Sequence, residues 1–234
     1  MGCVSKLRAG VMKHRLILDT LISGVSKAAA RTHAVKLPRM IDLIFDSLEL
    51  ASDMDHWEEL IYFVWDFCNA FWLLPLSKAE RRYVTAVFRG KYLVWLRNAQ
   101  GSRGAPTAWA AMAGLLMRCA MSVVGKEGSG RRMPYRCAGH CYVDDPIFAV
   151  RGTRRDQHRL IVRIVIAWMV LGLPLAFKKA RIGNPVDWIG FQIHQQRDRV
   201  IGSIPKEKVK DLLEGTLSLM KGNVVAAKEL RSYA

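Results

Sequence analysis

The chain has 234 residues, 51% of them hydrophobic, and a formal net charge of +16 from 36 Lys and Arg against 20 Asp and Glu. This composition excludes a disordered or collagen-like chain and suffices for one sizeable core, or a core with a small appendage. The basic balance, with a pI near 10.0, points to a polyanionic partner, most often nucleic acid, over a merely soluble basic surface.

In chain order, MGCVSK opens with the Gly2 of an acylation signal, but Lys6 stands where Ser or Thr is usual. KHRLILD (13–19) reads as a basic edge and a short strand, and SGVSKAAARTHAV (23–35) as a loop. LPRMIDLIFDSLELAS (37–52) is expected to be a helix entered at Pro38, with Ile41, Ile44, Phe45 and Leu48 inward. ELIYFVWDFCNAF (59–71) supplies a strand ending at Asp66, and 83–98 a hairpin turning at Arg89-Gly90. The glycine-rich QGSRGAP (100–106) feeds a helix over 107–125, with Trp109, Met112, Leu116, Ala120 and Val123 on one side. KEGSGRRMP (126–134) reads as a polar, mobile loop.

A second helix is expected over 156–171, burying Leu160, Ile161, Ile164, Val165 and Trp168. FKKARIG reads as a loop, 186–194 as one strand, 199–205 as its return partner and 206–220 as a last helix. Strands and helices interleave without a regular βαβ rhythm, which argues for an α+β fold. The tempting apolar run at 160–177 is interrupted by Arg163, Gly172 and Pro174, so it reads as a core helix and turn, and no membrane partner is expected. With no secretory signal and an odd, scattered set of five cysteines, the chain is expected to be intracellular, cytoplasmic or nuclear. Cys137 and Cys141 flank His140 as half a zinc site would, without a second pair nearby.

GHCYVDDPIFAV (139–150) poses the chemical question. Adjacent carboxylates repel, and burying either is costly without a neutralising partner. Asp144 and Asp145 nonetheless interrupt an apolar stretch, at a point where Pro146 disfavours helix and a turn at a sheet edge is expected. Asp66 ends another apolar strand. Hard oxygen donors from separate strands, converging at one sheet edge, suit Mg²⁺ completed by substrate phosphates. The expected chemistry is in-line displacement at phosphorus with two ions.

These residues resemble the motifs of reverse transcriptases of the retroviral and long-terminal-repeat retrotransposon kind. Asp66-Phe67-Cys68-Asn69-Ala70-Phe71 resembles the first palm motif. Gln100-Gly101 with Gly104-Ala105-Pro106 resembles "QG…P", and Tyr142-Val143-Asp144-Asp145 matches "YxDD". Leu171-Gly172-Leu173 through Lys178-Lys179 resembles the next motif, Trp188-Ile189-Gly190-Phe191 the primer grip, and Arg15 to Asp19 a finger strand.

The resemblance implies an α+β right-hand polymerase: partial fingers over 1–40, palm over 41–73, a fingers hairpin over 74–104, palm over 105–196, and the start of a thumb over 197–234. It implies RNA-directed DNA synthesis from dNTPs on a primed RNA or DNA template, with two Mg²⁺ ions or Mn²⁺ in their place. Asp66, Asp144, Asp145 and the Phe67 backbone carbonyl would hold the metals, and Lys179 or Lys178 would protonate pyrophosphate. Arg15, Phe67, Phe71, Gln100, Gly101 and Val143 would bind the nucleotide or border the primer end, with Trp188 and Gly190 as primer grip. The chain reads as a piece of a retroelement polyprotein, whose remainder would be a partner. The alternative is a catalytically incompetent remnant that only binds nucleic acid.

Overall fold

The computed structural model describes residues 2–8, 11–18, 20, 23–29, 34–52, 54–125, 136–196 and 199–220. Its centre is a four-stranded antiparallel sheet in the order β6-β7-β3-β8, built from Cys137–Tyr142, Asp145–Gly152, Glu59–Val64 and Arg181–Gly183. β3 and β7 are central and buried on both faces, so both read as nearly continuous apolar runs, without the alternation of a half-exposed strand.

On one face lie α5 (Ala105–Val124) and α6 (Arg154–Val170), which join Phe63, Trp65, Phe67, Phe148 and Val150 in the larger core. On the other face α2 (Met40–Ser52) packs beside a three-stranded sheet, β11-β10-β9, of Val200–Ser203, Phe191–Gln195 and Val186–Trp188. There Leu43, Leu50, Val186, Trp188 and Ile193 meet Leu60, Tyr62, Val64, Ile147 and Ala149. The side-chain alternation of β3 and β7 thus feeds two cores from one sheet. Arg151, fully buried, donates from Nη1 to the Leu50 carbonyl in the last turn of α2, where a cation complements the helix dipole.

The remaining elements stand around this block. β1 (Gly2–Arg8) and β2 (Val11–Ile17) form one hairpin, and β4 (Thr85–Phe88) and β5 (Lys91–Val94) another. Three one-turn helices, α1 (Val25–Ala28), α3 (Ala70–Leu73) and α4 (Lys78–Arg81), lie in the connections, and α7 (Lys206–Met220) closes the described chain.

The structure corrects several sequence expectations. The opening residues, for which no element was expected, form β1. α2 buries Leu43, Ser47 and Leu50, while Ile41, Phe45 and Leu48 are exposed. In α5, Met112 and Val123 are exposed and Ala113, Met117 and Val124 are enclosed. α5 is the one described helix long and apolar enough to suit a membrane by length and composition, a property expected only of 160–177; its Trp109, Leu116 and Ala120 face is packed into the core. The run 186–194 is two strands turning at Ile189-Gly190, and 181–183 is the strand β8, not a loop. The loop read at 126–134 lies outside the described residues.

Candidate active site

The site is assembled where β3, the β6–β7 turn and the segment before β8 meet. β3 runs out at Val64, and the chain continues extended through Asp66 to Phe67. The Trp65 N–H donates to the Pro146 carbonyl at 3.1 Å, and the Phe67 N–H to the Asp144 carbonyl at 3.3 Å. On the other side Cys68 donates to Pro174, and Ala176 to the Asp66 carbonyl, at 2.9 and 3.0 Å. The Asp66 segment is therefore laced between the Asp144 turn and the chain leading to Lys179, which a single 3-10 turn (Phe177–Lys179) brings round.

These constraints open a cavity of about 620 Å³ lined by Asp66, Phe67, Phe71, Gln100, Asp144 and Lys179, among others. The Lys179 ammonium donates to the Asp66 carboxylate across 113 residues of sequence. Asp66 is largely buried and Lys179 more than half exposed, so a buried carboxylate is compensated by a cation that reaches in from solvent.

Asp144 and Asp145 part company. Tyr142 pairs with Asp145 across a turn whose two central residues are Val143 and Asp144, so Asp145 is already the first residue of β7. Asp144, in the turn, lines the cavity, and Asp145, on the strand, is not among its lining residues. The Asp145 carboxyl is half-buried; burial first, then the neighbouring Asp144 charge, push its pKa up, with Arg181 opposing. Of the three acids singled out in the sequence, Asp66 and Asp144 line the cavity, and Asp145 stands next to them at the start of β7. Among the described residues, no three His, Cys, Asp or Glu side chains gather into a metal-holding group. Cys137, His140 and Cys141 form no such group either. Four residues along a strand span roughly 13 Å, and His140 pairs at 2.8 Å with Asp46 on α2. Burial, then Asp144 and Asp145, push the Cys141 thiol up to about 12.

Other expected site residues fall as follows. Gln100 lines the cavity, and its carbonyl accepts from Leu18 at 3.0 Å. Gly101 has φ +97°, and a Cβ there would come within 2.3 Å of the Leu18 carbonyl oxygen, so only glycine fits. Phe71, on α3, is part of the cavity wall and touches the larger core. Val143 is the first turn residue, at φ +57°. The Trp188 ring, 1% exposed, is enclosed in the core, and its indole donates to the Asp145 carbonyl at 3.0 Å. Gly190 sits at the β9–β10 turn, where a Cβ would meet the Lys208 ammonium. Arg15 lies on β2 and its side chain is outside the described residues. Its neighbour His14, which the sequence reading passed over, lines the cavity and holds Ser5 Oγ at 2.8 Å. The basic edge KHR was the available signal.

The class that this architecture defines is a retroviral reverse-transcriptase-like fold. The structure is similar over 98% of its length to that of the foamy viral protease-reverse transcriptase dRH in complex with double-stranded DNA, with a TM-score of 0.63 and 19% identity. It is similar over 94% to the foamy viral enzyme in complex with an RNA/DNA hybrid (TM-score 0.58, 19% identity), and over 97% to native Prototype Foamy Virus protease-reverse transcriptase (0.55, 17%). The chain spans only 34%, 25% and 28% of the length of those chains. At these identities the likeness is one of fold. No family model and no curated protein matches the sequence.

Proposed function

We propose that the chain is the polymerising part of a reverse transcriptase, extending a primer 3′-hydroxyl with dNTPs on an RNA or DNA template. The observation that carries this reading is that Asp66, just past the end of β3, and Asp144, in the β6–β7 turn, line one cavity with Lys179 and Gln100. Two carboxylates with substrate phosphates are a suitable donor set for Mg²⁺, which keeps several oxygen positions for water and substrate. Asp66, Asp144 and the Phe67 carbonyl would hold Mg²⁺ or Mn²⁺, with Asp145 as a supporting charge. When bound, such ions activate the attacking hydroxyl and stabilise the leaving phosphate oxygens.

The chain's own residues divide the remaining work. Lys179 offsets the Asp66 charge before substrate arrives, and its ammonium is then the proton donor for departing pyrophosphate. Phe71 and Gln100 bound the sugar end of the nucleotide, Val143 borders the primer terminus, and Arg15 contacts phosphate. The central sheet with α5 and α6 acts as palm, the β1–β2 and β4–β5 hairpins as fingers, and α7 as the first helix of a thumb. The net charge of +16 supplies template affinity, which should fall steeply with salt through counterion release.

Primer extension on a homopolymer RNA template tests the proposal. Incorporation that requires a divalent ion and disappears in Asp144→Asn supports it. Template binding with no incorporation would instead identify a nucleic-acid-binding remnant.

A further inference from the structure

Two buried indoles hold the backbone on either side of Asp144. Trp109, on α5, has no exposed surface and donates its Nε1–H to the Val143 carbonyl at 2.7 Å. Trp188 belongs to the core on the opposite face of the sheet and donates to the Asp145 carbonyl at 3.0 Å. The Cys141 thiol adds a contact to the Val143 carbonyl at 3.2 Å. Burial alone does not force such bonds in this chain. The buried indole nitrogens of Trp65 and Trp95 have no partner among the described residues. The turn also needs holding, because Val143 is β-branched and sits at φ +57°. That region costs an L-residue about 1–2 kcal/mol and persists where the surroundings over-determine it.

We propose that Trp109 and Trp188 are positioning residues that fix the turn from both faces of the sheet, so that the Asp144 carboxylate is presented to the cavity it shares with Asp66. This rests on the reading of Asp144 as a metal ligand. An unheld turn would have to be ordered at each binding event, which weakens binding. Groups that orient a metal ligand typically change metal affinity or activity by about 10–100-fold when removed.

The experiment uses the full chain, with Trp109→Phe and Trp188→Phe, each of which keeps an aromatic ring and deletes the N–H. In the ¹⁵N-indole-labelled wild type, the Trp109 and Trp188 Nε1–H resonances should lie downfield of those of Trp65 and Trp95. In each folded variant, Mn²⁺ affinity measured by EPR should fall about tenfold or more, and kcat of primer extension should fall with it. Primer–template affinity at fixed salt should not change, whereas general loosening of the fold would lower it. Wild-type Trp109 and Trp188 indoles that resonate like Trp65 and Trp95 would overturn the proposal without any variant having to fold. So would folded Phe variants with unaltered Mn²⁺ affinity. A wild type that takes up Mn²⁺ but extends no primer defeats the polymerase reading alone, and the Mn²⁺ comparison still decides the positioning role.

Discussion

Two hairpins in this molecule have turns of the same length and opposite circumstances. β4 and β5 turn at Arg89-Gly90, with φ values of +49° and +70°, the geometry that suits a two-residue hairpin and that glycine adopts at little cost. Both β5 faces are open, with Tyr92 at 78% exposure, and Phe88 and Val87 at the tip of β4 are also exposed. β6 and β7 turn at Val143-Asp144 without a glycine, flanked by strands that sink into two cores. The exposed hairpin has turn residues suited to its geometry, and only its base, at Ala86 and Trp95, is packed. The buried one relies on its surroundings, and that dependence is what gives an acidic side chain a fixed place beside Asp66. A turn that folds by itself can be shaped by two residues, while a turn that must aim a carboxylate draws on α5 and β9 as well.

The contrast predicts unequal responses to mutation. The largest difference is expected between Trp109→Ala and Tyr92→Ala. The first removes a fully buried ring and a hydrogen bond to the turn, and should cost about 3–5 kcal/mol in urea unfolding. The second touches an exposed ring and should stay within about 0.5 kcal/mol. Equal effects would mean that the outer hairpin has packing not seen here.

A smaller effect, confined to the outer hairpin, is expected of Gly90→Ala. An added Cβ meets nothing within 4 Å, so the backbone conformation alone opposes it, by about 1 kcal/mol. Amide exchange should show faster opening over 85–94 and unchanged protection over 137–152.

The smallest effect is a pH dependence at the start of α6. Asp156 accepts from the Thr153 hydroxyl at 2.6 Å and pairs with Arg136 at 3.0 Å. The Thr153 bond, then the Arg136 charge, hold its pKa below the ordinary Asp value. Its contribution is therefore complete above the unfolded-state pKa and is lost as pH falls through the lower folded value. Asp156→Asn should remove that part of the acid-side loss in urea midpoints, by less than about 1 kcal/mol for a solvent-facing group, while leaving the neutral-pH activity intact.

How much of this was legible in sequence differs by element. Asp66 and Asp144 stood out because each interrupts an apolar strand, and the turn between β6 and β7 followed from Asp and Pro. The different settings of the adjacent acids, Asp144 in the turn and Asp145 on β7, were not legible, because local pattern does not fix where the strand begins. α2 was read only partly on the right face. Asp42, Asp46 and Glu49 mark its polar side, but apolar residues fill a wide arc of the rest, of which Ile44 packs on the core and Ile41, Phe45 and Leu48 do not. Ser47, which looks like a surface residue, satisfies its own hydroxyl on the Leu43 carbonyl at 2.7 Å and can be buried. β8 is three residues long and exists because the edge of β3 offers partners to Arg181, Ile182 and Gly183, a long-range cause that local pattern does not carry. The reach of Lys179 to Asp66, and the two indole bonds to the turn, depend on the same long-range placement.

Mn²⁺ uptake followed by EPR, with primer–template and a non-hydrolysable dNTP present, tests the central claim most directly. The account predicts that Asp66→Asn and Asp144→Asn each abolish the bound signal seen with the wild type, although nucleic-acid affinity persists. Undiminished Mn²⁺ binding in either variant would contradict a shared metal site for these two carboxylates.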